Sequence, residues 1–298
     1  MYVITGATGN TGRVIVNGLL ARGEKVRAVA RNASHLKEEA TKGAEAFAGQ
    51  IADPDSLARA LEGAKAAYLM IPPDVSNPDY RKYQDQLVES IGRAVEKSGL
   101  SHAVVLSSIG ADKPEKTGPV VGLHNLEQRL NRISGLNVLV LRPAYFMENT
   151  LPQSTLIRMF GMTAGPLRGD LSLPMIATRD IGEYSVNALL KLDFKGKQTR
   201  ELLGQRDLSY NEVASIIGKA IAKPDLKYAQ MPDEQVVGGL TSMGMSASIA
   251  NLILEMAAAL NSGHMRALEA RSAENTTPTS YENFVGAEFV PNYRAAAA

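Results

Sequence analysis

Short apolar runs recur along the first half of the chain, separated by stretches whose apolar residues return at helical spacing. The runs Tyr2–Thr5, Lys25–Ala30, Glu45–Ala48, Ala66–Ile71, Ala103–Ser107 and Val138–Leu141 have strand length and predict strands. The segment from about Tyr80 places Tyr83, Leu87, Ile91 and Val95 on one helical face and stops near Gly99, a residue suited to a left-handed C-terminal cap. Leu123, Leu126, Leu130 and Ile133 predict another helix, ending at Gly135. Strand and helix in alternation predict right-handed βαβ units, and so an α/β fold built on a doubly wound parallel sheet covered on both faces.

Past Arg142-Pro143 the rhythm breaks. Ala144–Met175 holds no clean βαβ unit, Thr178-Arg-Asp180 starts a helix over Ile181–Leu190, and Arg200–Leu203 reads as another strand. Ser209-Tyr-Asn-Glu212 is a capping box that opens a helix to about Ile221. From Pro232 the pattern is mostly helical, with Gly238-Gly239, Gly244 and Gly263 as breaks. These patterns predict a first domain over residues 1–146, to which 176–204 return, and a smaller, mostly helical C-terminal domain from 147–175 and 205–294.

The first apolar run feeds directly into Gly6-Ala-Thr-Gly9-Asn-Thr-Gly12, and Val14, Ile15 and Leu19 follow at helical spacing. A glycine-spaced turn between strand and helix is the phosphate cradle of a Rossmann-like domain. The first glycine makes the turn, the second admits a pyrophosphate, and the third lets helix pack on strand. Gly6, Thr8, Gly9, Asn10, Thr11 and Gly12 are therefore candidate dinucleotide contacts, with backbone N–H groups and the positive helix end facing the phosphates. Where the second strand ends, an NAD site usually offers an acid to the ribose. Here stands Val29-Ala30-Arg31-Asn32-Ala33-Ser34. Arg31 can pair with a 2′-phosphate, so NADPH is expected as cofactor ahead of NADH, with Asn32, Ser34 and Arg13 able to add to the site.

Asp53, before Pro54, reads both as a helix N-cap and as a contact on the adenine side. Ile71-Pro72 and Ser107-Ser108 end two further strands at the carboxyl edge, where ligands of such sheets lie, and are expected as site walls.

Composition removes other chemistries. The 298 residues carry a net charge of +1 and no cysteine, which gives no reason to expect a nucleic-acid or anionic-membrane partner and excludes disulfides and thiolate chemistry. Four scattered histidines give no ligand pair, so no metal site is expected; no Gly-x-Ser-x-Gly elbow and no Walker loop occurs. Without a membrane-length apolar run or a leader-like start, the chain is expected in the cytoplasm. Ala295–Ala298 read as a frayed tail or cloning scar. Nine of the eleven methionines lie at or beyond Met147, which suits either an adaptable apolar pocket or the filling of irregular core gaps.

The glycine turn, Arg31, Ser107-Ser108-Ile109-Gly110, His124-Asn-Leu-Glu127 and Leu141-Arg-Pro-Ala-Tyr-Phe-Met-Glu-Asn149 together resemble the NmrA-like family of atypical short-chain dehydrogenases/reductases. The resemblance covers about the whole chain. It implies quinone, azo-dye, triphenylmethane-dye or phenylpropanoid reduction, or redox sensing without turnover, and a nicotinamide lying between Ile71-Pro72, Ser107-Ser108 and Pro143, Tyr145 and Phe146. The Tyr-x-x-x-Lys pair of ordinary short-chain dehydrogenases, in which the lysine lowers the phenol pKa, is missing: no tyrosine of the ten has a lysine four residues on. Counting back from Gly135, Val120 stands where that tyrosine would be and His124 where the lysine would be.

A ketone needs a placed acid, because its product alkoxide is a strong base. A quinone or azo acceptor delocalises the charge and can take its proton from water. The expected reaction is therefore NADPH-dependent hydride transfer to an electron-poor conjugated small molecule, with His124 and Tyr145 as candidate proton donors, Asn149 as a rival polar group and Glu127 placed to orient His124. The alternative is a non-catalytic NADP(H) sensor acting through a protein partner. A homodimer is admitted, though no residue demands one.

Overall fold

Residues 1–295 are described in a computed structural model, so the last three of the terminal alanines lie outside the described residues. The first half alternates as predicted. Strand β1 (Tyr2–Thr5) leads to helix α1 (Asn10–Leu20), then β2 (Val26–Ala30), α2 (Lys37–Thr41), β3 (Glu45–Ala48), α3 (Pro54–Leu61), β4 (Ala66–Leu69), α4 (Tyr80–Ser98), β5 (His102–Leu106), α5 (Val120–Asn131) and β6 (Asn137–Pro143). The second half holds β7 (Tyr145–Phe146), α6 (Gln153–Phe160), β8 (Thr163–Gly165), β9 (Leu173–Ile176), α7 (Thr178–Lys191), β10 (Lys197–Leu202), β11 (Asp207–Leu208), α8 (Tyr210–Ala220) and β12 (Tyr228–Gln230). Helices α9 (Asp233–Ser242), α10 (Ala247–Asn261), α11 (Tyr281–Phe284) and α12 (Val290–Ala295) complete it, with a π-helical turn, Val285–Phe289, joining the last two.

Seven strands form one parallel sheet in the order β10-β6-β5-β4-β1-β2-β3. The order reverses between β1 and β4, which opens the crevice where such sheets receive ligands. Alternation along β1 divides the core. Val3 packs with Leu57, Leu87, Ile91 and Leu126 from α3, α4 and α5, while Tyr2 and Ile4 pack with Ile15, Leu19, Ile181 and Leu189 from α1 and α7. A third apolar cluster, including Met147, Leu173, Met175, Tyr210, Val213 and Tyr281, lies under the second half. There β11, β9 and β7 form one small sheet and β12 with β8 another.

Several boundaries differ from the sequence pattern. β4 stops at Leu69 and β5 at Leu106, which leaves Ile71, Ser107 and Ser108 in the loops beyond the carboxyl edge. α5 ends at Asn131, although Ile133 stays buried in the turn that follows. α7 begins at Thr178, and β10 begins at Lys197 where it pairs with Val138. Gly238 and Gly239 do not break a helix; they lie within α9, because glycine weakens a helix by about 1 kcal/mol without forbidding it. Gly244, at φ +88°, and Gly263, at φ +74°, do follow helix ends. Residues 262–280 are not helical. Their backbone finds partners elsewhere: Glu201 accepts from the Leu268 and Glu269 N–H groups at 2.8 Å each, and Asp180 accepts from Thr279 N–H at 3.0 Å.

Candidate active site

Parallel pairing puts the ends of β1, β2, β4, β5 and β6 along one edge, so the loops after them converge. After β1, Gly6 turns with φ +62°, and a Cβ on Gly12 would lie 2.1 Å from the Gly6 carbonyl oxygen. No side chain caps α1, so its first N–H groups, which have no intrahelical partner, are left without a capping side chain. The buried Tyr68 hydroxyl donates to Thr11 Oγ1 at 3.0 Å, which fixes that side chain and leaves both its own O–H and the Thr11 N–H as donors. Burial pushes the Tyr68 phenol up, which keeps it a donor in that bond. The turn thus offers backbone donors and no side chain in the way. That is the geometry a pyrophosphate needs.

Arg31 lies exposed past the end of β2 and forms no ion pair among the described residues. Arg13 differs: its guanidinium donates to the Thr8 carbonyl at 3.3 Å and sits 3.7 Å from the buried Glu39 carboxylate, whose two oxygens accept no hydrogen bond. A guanidinium drawn toward that buried charge is less free to add to a phosphate site. Asn32 accepts from Ser34 N–H at 2.9 Å, and Asp53 caps α3 by accepting from the N–H groups of Asp55 and Ser56 at 3.0 and 3.2 Å. The capping of Asp53 uses only Oδ1 and leaves its second oxygen available.

A cavity of about 350 Å³ opens beside these loops, and Ile71, Ser108, Val120, Tyr145, Phe146 and Asn149 meet on its wall. Pro72, Ser107, Pro143 and His124 are not on that wall. The Pro72 carbonyl accepts from Tyr83 at 2.8 Å, and Pro73 lines the cavity in its place. The Pro143 carbonyl accepts from Ile109 N–H at 3.1 Å, holding the turn that carries Ser108. His124 Nδ1 donates to the Ala111 carbonyl at 2.8 Å, so the ring ties α5 to the loop after β5.

Glu127 does not orient His124 and is not a solvated helix acid. It is buried, and it binds Arg142 through Nε at 3.0 Å and Nη2 at 2.6 Å, while Ser107 Oγ donates to it at 2.5 Å. Burial opposes the Arg142 charge, but the hydrogen bonds and charge of Glu127, then Asp112 and Glu201, outweigh it and hold its pKa above the ordinary value. A sequence signal existed: Glu127 stands one turn from both Leu123 and Leu130, on the apolar face of α5.

Tyr145 shares the cavity wall with the polar side chains of Ser108 and Asn149. The Tyr210 hydroxyl donates to its oxygen at 3.1 Å, which leaves the Tyr145 proton for another acceptor. Burial raises the Tyr145 pKa, partly offset by hydrogen bonds with Tyr210 and Asn149. Tyr210 comes from the capped start of α8, where Ser209 and Glu212 form both bonds of the predicted capping box. Sequence reasoning missed it because nothing local links positions 145 and 210. The methionines serve both expected uses: Met256 and Met265 line the cavity, and Met147 and Met175 fill the core.

Fold and edge together define a Rossmann-like protein with a glycine-turn cradle suited to a phosphate and an apolar chamber on the carboxyl edge of its sheet. The chain belongs to the NmrA-like family, whose profile matches residues 2–285. It is 30% identical over 258 residues, 86% of each chain, to the NAD(P)H azoreductase of Xenophilus azovorans. In structure it is similar to an NADPH-dependent quinone oxidoreductase from Escherichia coli complexed with NADPH, with a TM-score of 0.81, 20% identity, and coverage of 96% of this chain and 98% of the other. It is also similar to the Citrobacter sp. triphenylmethane reductase complexed with NADP(H), with a TM-score of 0.75, 18% identity and coverage of 95% and 98%. Among the described residues no helix is long and apolar enough to cross a membrane, and no group of acids and histidines could hold a metal ion.

Proposed function

We propose that the protein is an NADPH-dependent reductase that passes hydride to a quinone-like, azo or other electron-poor conjugated small molecule. The observation that carries this is the apolar cavity with Val120 on its wall, where a ketone reductase would need its acid, and Tyr145 on the same wall.

The uncapped start of α1 would hold the pyrophosphate through the N–H groups of Asn10, Thr11 and Gly12, and Arg31 the 2′-phosphate. Asp53 would take the adenine side with its free oxygen. Ile71, Pro72, Ser107, Ser108, Pro143, Tyr145 and Phe146 would surround the nicotinamide, and residues 147–175 and 205–294 would cover the acceptor. Bound NADPH supplies the hydride. The acceptor gains two electrons and one proton from hydride and a second proton from Tyr145, which water restores. His124 acts on the fold of the Ala111 loop rather than on the acceptor.

Mixing the protein with NADPH and a panel of quinones and azo dyes tests the reading. Acceptor-dependent loss of the reduced-nicotinamide absorbance is expected. No loss with any acceptor would overturn it, and a partner that binds only one redox state of the cofactor-loaded protein would establish the sensor alternative. Arg31→Ala is expected to weaken NADPH about tenfold and NADH little, read by cofactor titration. Equal losses would remove the 2′-phosphate assignment.

A further inference from the structure

A second cavity, of about 300 Å³, lies on the far side of the acceptor chamber, and the two share Ile109, Leu260 and Met265 in their walls. Those three side chains are therefore the partition. Ile109 and Leu260 are branched and set in packed turns and helices, whereas Met265 is unbranched with three rotatable bonds. Met265 lies directly over Gly110, which has φ +86°: a Cβ there would stand 2.7 Å from Met265 Cε. Glycine at that position lets the methionine pack against its backbone, and the side chain's three rotatable bonds let it take other rotamers.

The far cavity is apolar inside, with Leu171, Leu173, Pro174 and Leu203 on its wall, and charged at its rim. Most of that charge is already used. Arg271 pairs with Asp207 and donates to the Leu203 and Gly204 carbonyls, and Glu269 accepts from Glu201 N–H at 3.1 Å and sits 3.7 Å from Arg200. Arg266, next to Met265 in the chain, is exposed and has no ion-pair or hydrogen-bond partner among the described residues. The rim therefore presents one unneutralised cation above an apolar slot.

We infer that the far cavity is a distal chamber of the acceptor site. It takes the remote ring of an elongated aromatic acceptor bearing a carboxylate or sulfonate, with Arg266 as the counter-ion and Met265 as the movable partition. This rests on the reductase reading for its chemistry but not for its binding. No new bond is made in the distal chamber; it adds affinity for acceptors too long for the first cavity.

The experiment uses a carboxylated azo dye, its uncharged analogue, and the wild-type, Arg266→Ala and Arg266→Lys proteins. Equilibrium titration of each dye, followed by its visible absorbance, is expected to show the carboxylated dye binding about fivefold more weakly to Arg266→Ala, with Arg266→Lys restoring most of the loss and added salt weakening only the wild-type and Lys proteins. The ratio of KM values for the two dyes should shift by the same factor in NADPH-dependent turnover. If both dyes lose affinity equally, or neither does, the distal chamber is overturned. Absence of turnover with the titration difference intact would count against the reductase reading alone. A sulfonated dye in place of the carboxylated one separates a general oxyanion site from one that fits a planar carboxylate.

Discussion

A phenol whose pKa is raised by burial keeps its proton through the neutral range, so under the proposed reaction Tyr145 would serve as an acid rather than a base. The sign follows directly: raising the pKa extends the protonated form to higher pH. Turnover limited by proton donation should thus stay flat from about pH 6 to about pH 9 and fall only in more alkaline solution, beyond the ordinary tyrosine value of about 10. Tyr145→Phe should lower kcat about tenfold, less than the 10²–10⁴ usual for general acids, because a delocalised product anion can draw on water. A kcat unchanged in Tyr145→Phe, measured with the same quinone at neutral pH, would make the tyrosine a wall and not a donor. Tyr210→Phe removes the bond that positions Tyr145, and a shift in the alkaline limb of the profile is the readout that packing alone would not move.

At the scale of the element, α5 shows what the sequence could and could not reveal. The spacing of Leu126 and Leu130 marks its buried face, and both residues are buried against the sheet. The same helix carries Glu127 on that face, and its partner Arg142 comes from β6, joined to it by two hydrogen bonds. A pattern of local spacings registers the odd charge but not its distant partner. For the same reason the pairing of β7 with β9, fixed by Tyr145 opposite Met175, and the path of residues 262–280 were beyond a local pattern. The glycine turn was legible because all its constraints are local: a positive φ at Gly6 and the contact of Gly12 with the Gly6 carbonyl arise within seven residues. Glu127→Ala would leave a buried guanidinium unpaired and should cost about 3 kcal/mol in denaturant unfolding, whereas the double replacement Glu127→Leu, Arg142→Met should return to within about 1 kcal/mol of wild type. Equal stability of the single and double variants would show that the pair contributes nothing as a pair.

Across the whole molecule, the C-terminal segment is anchored to α7 and β10 by buried acids. Asp180, in the first turn of α7, accepts from Thr279 N–H at 3.0 Å and from its hydroxyl at 2.6 Å, and Glu201 on β10 holds Leu268 and Glu269. Tyr281, the first residue of α11, is buried and donates to Thr150 at 2.8 Å, so the strap closes on the segment that follows β7. Met265, the partition of the two cavities, stands three residues before the first anchored amide. Loosening the strap should therefore be felt at the cavity wall around Met265 before it is felt at the glycine turn, which the Thr5 and Tyr68 hydroxyls hold to β4 and α1, although α7 also packs on α1. Asp180→Ala removes both bonds to Thr279, with a local cost of about 1–3 kcal/mol. Amide exchange over residues 277–285 should accelerate roughly in proportion, while exchange at Val3 and Ile4 stays near wild type. The acceptor KM should rise several-fold with NADPH affinity little altered. Uniformly faster exchange would mean that Asp180 supports the whole fold, and an unchanged acceptor KM beside faster local exchange would show that the strap does not shape the acceptor chamber.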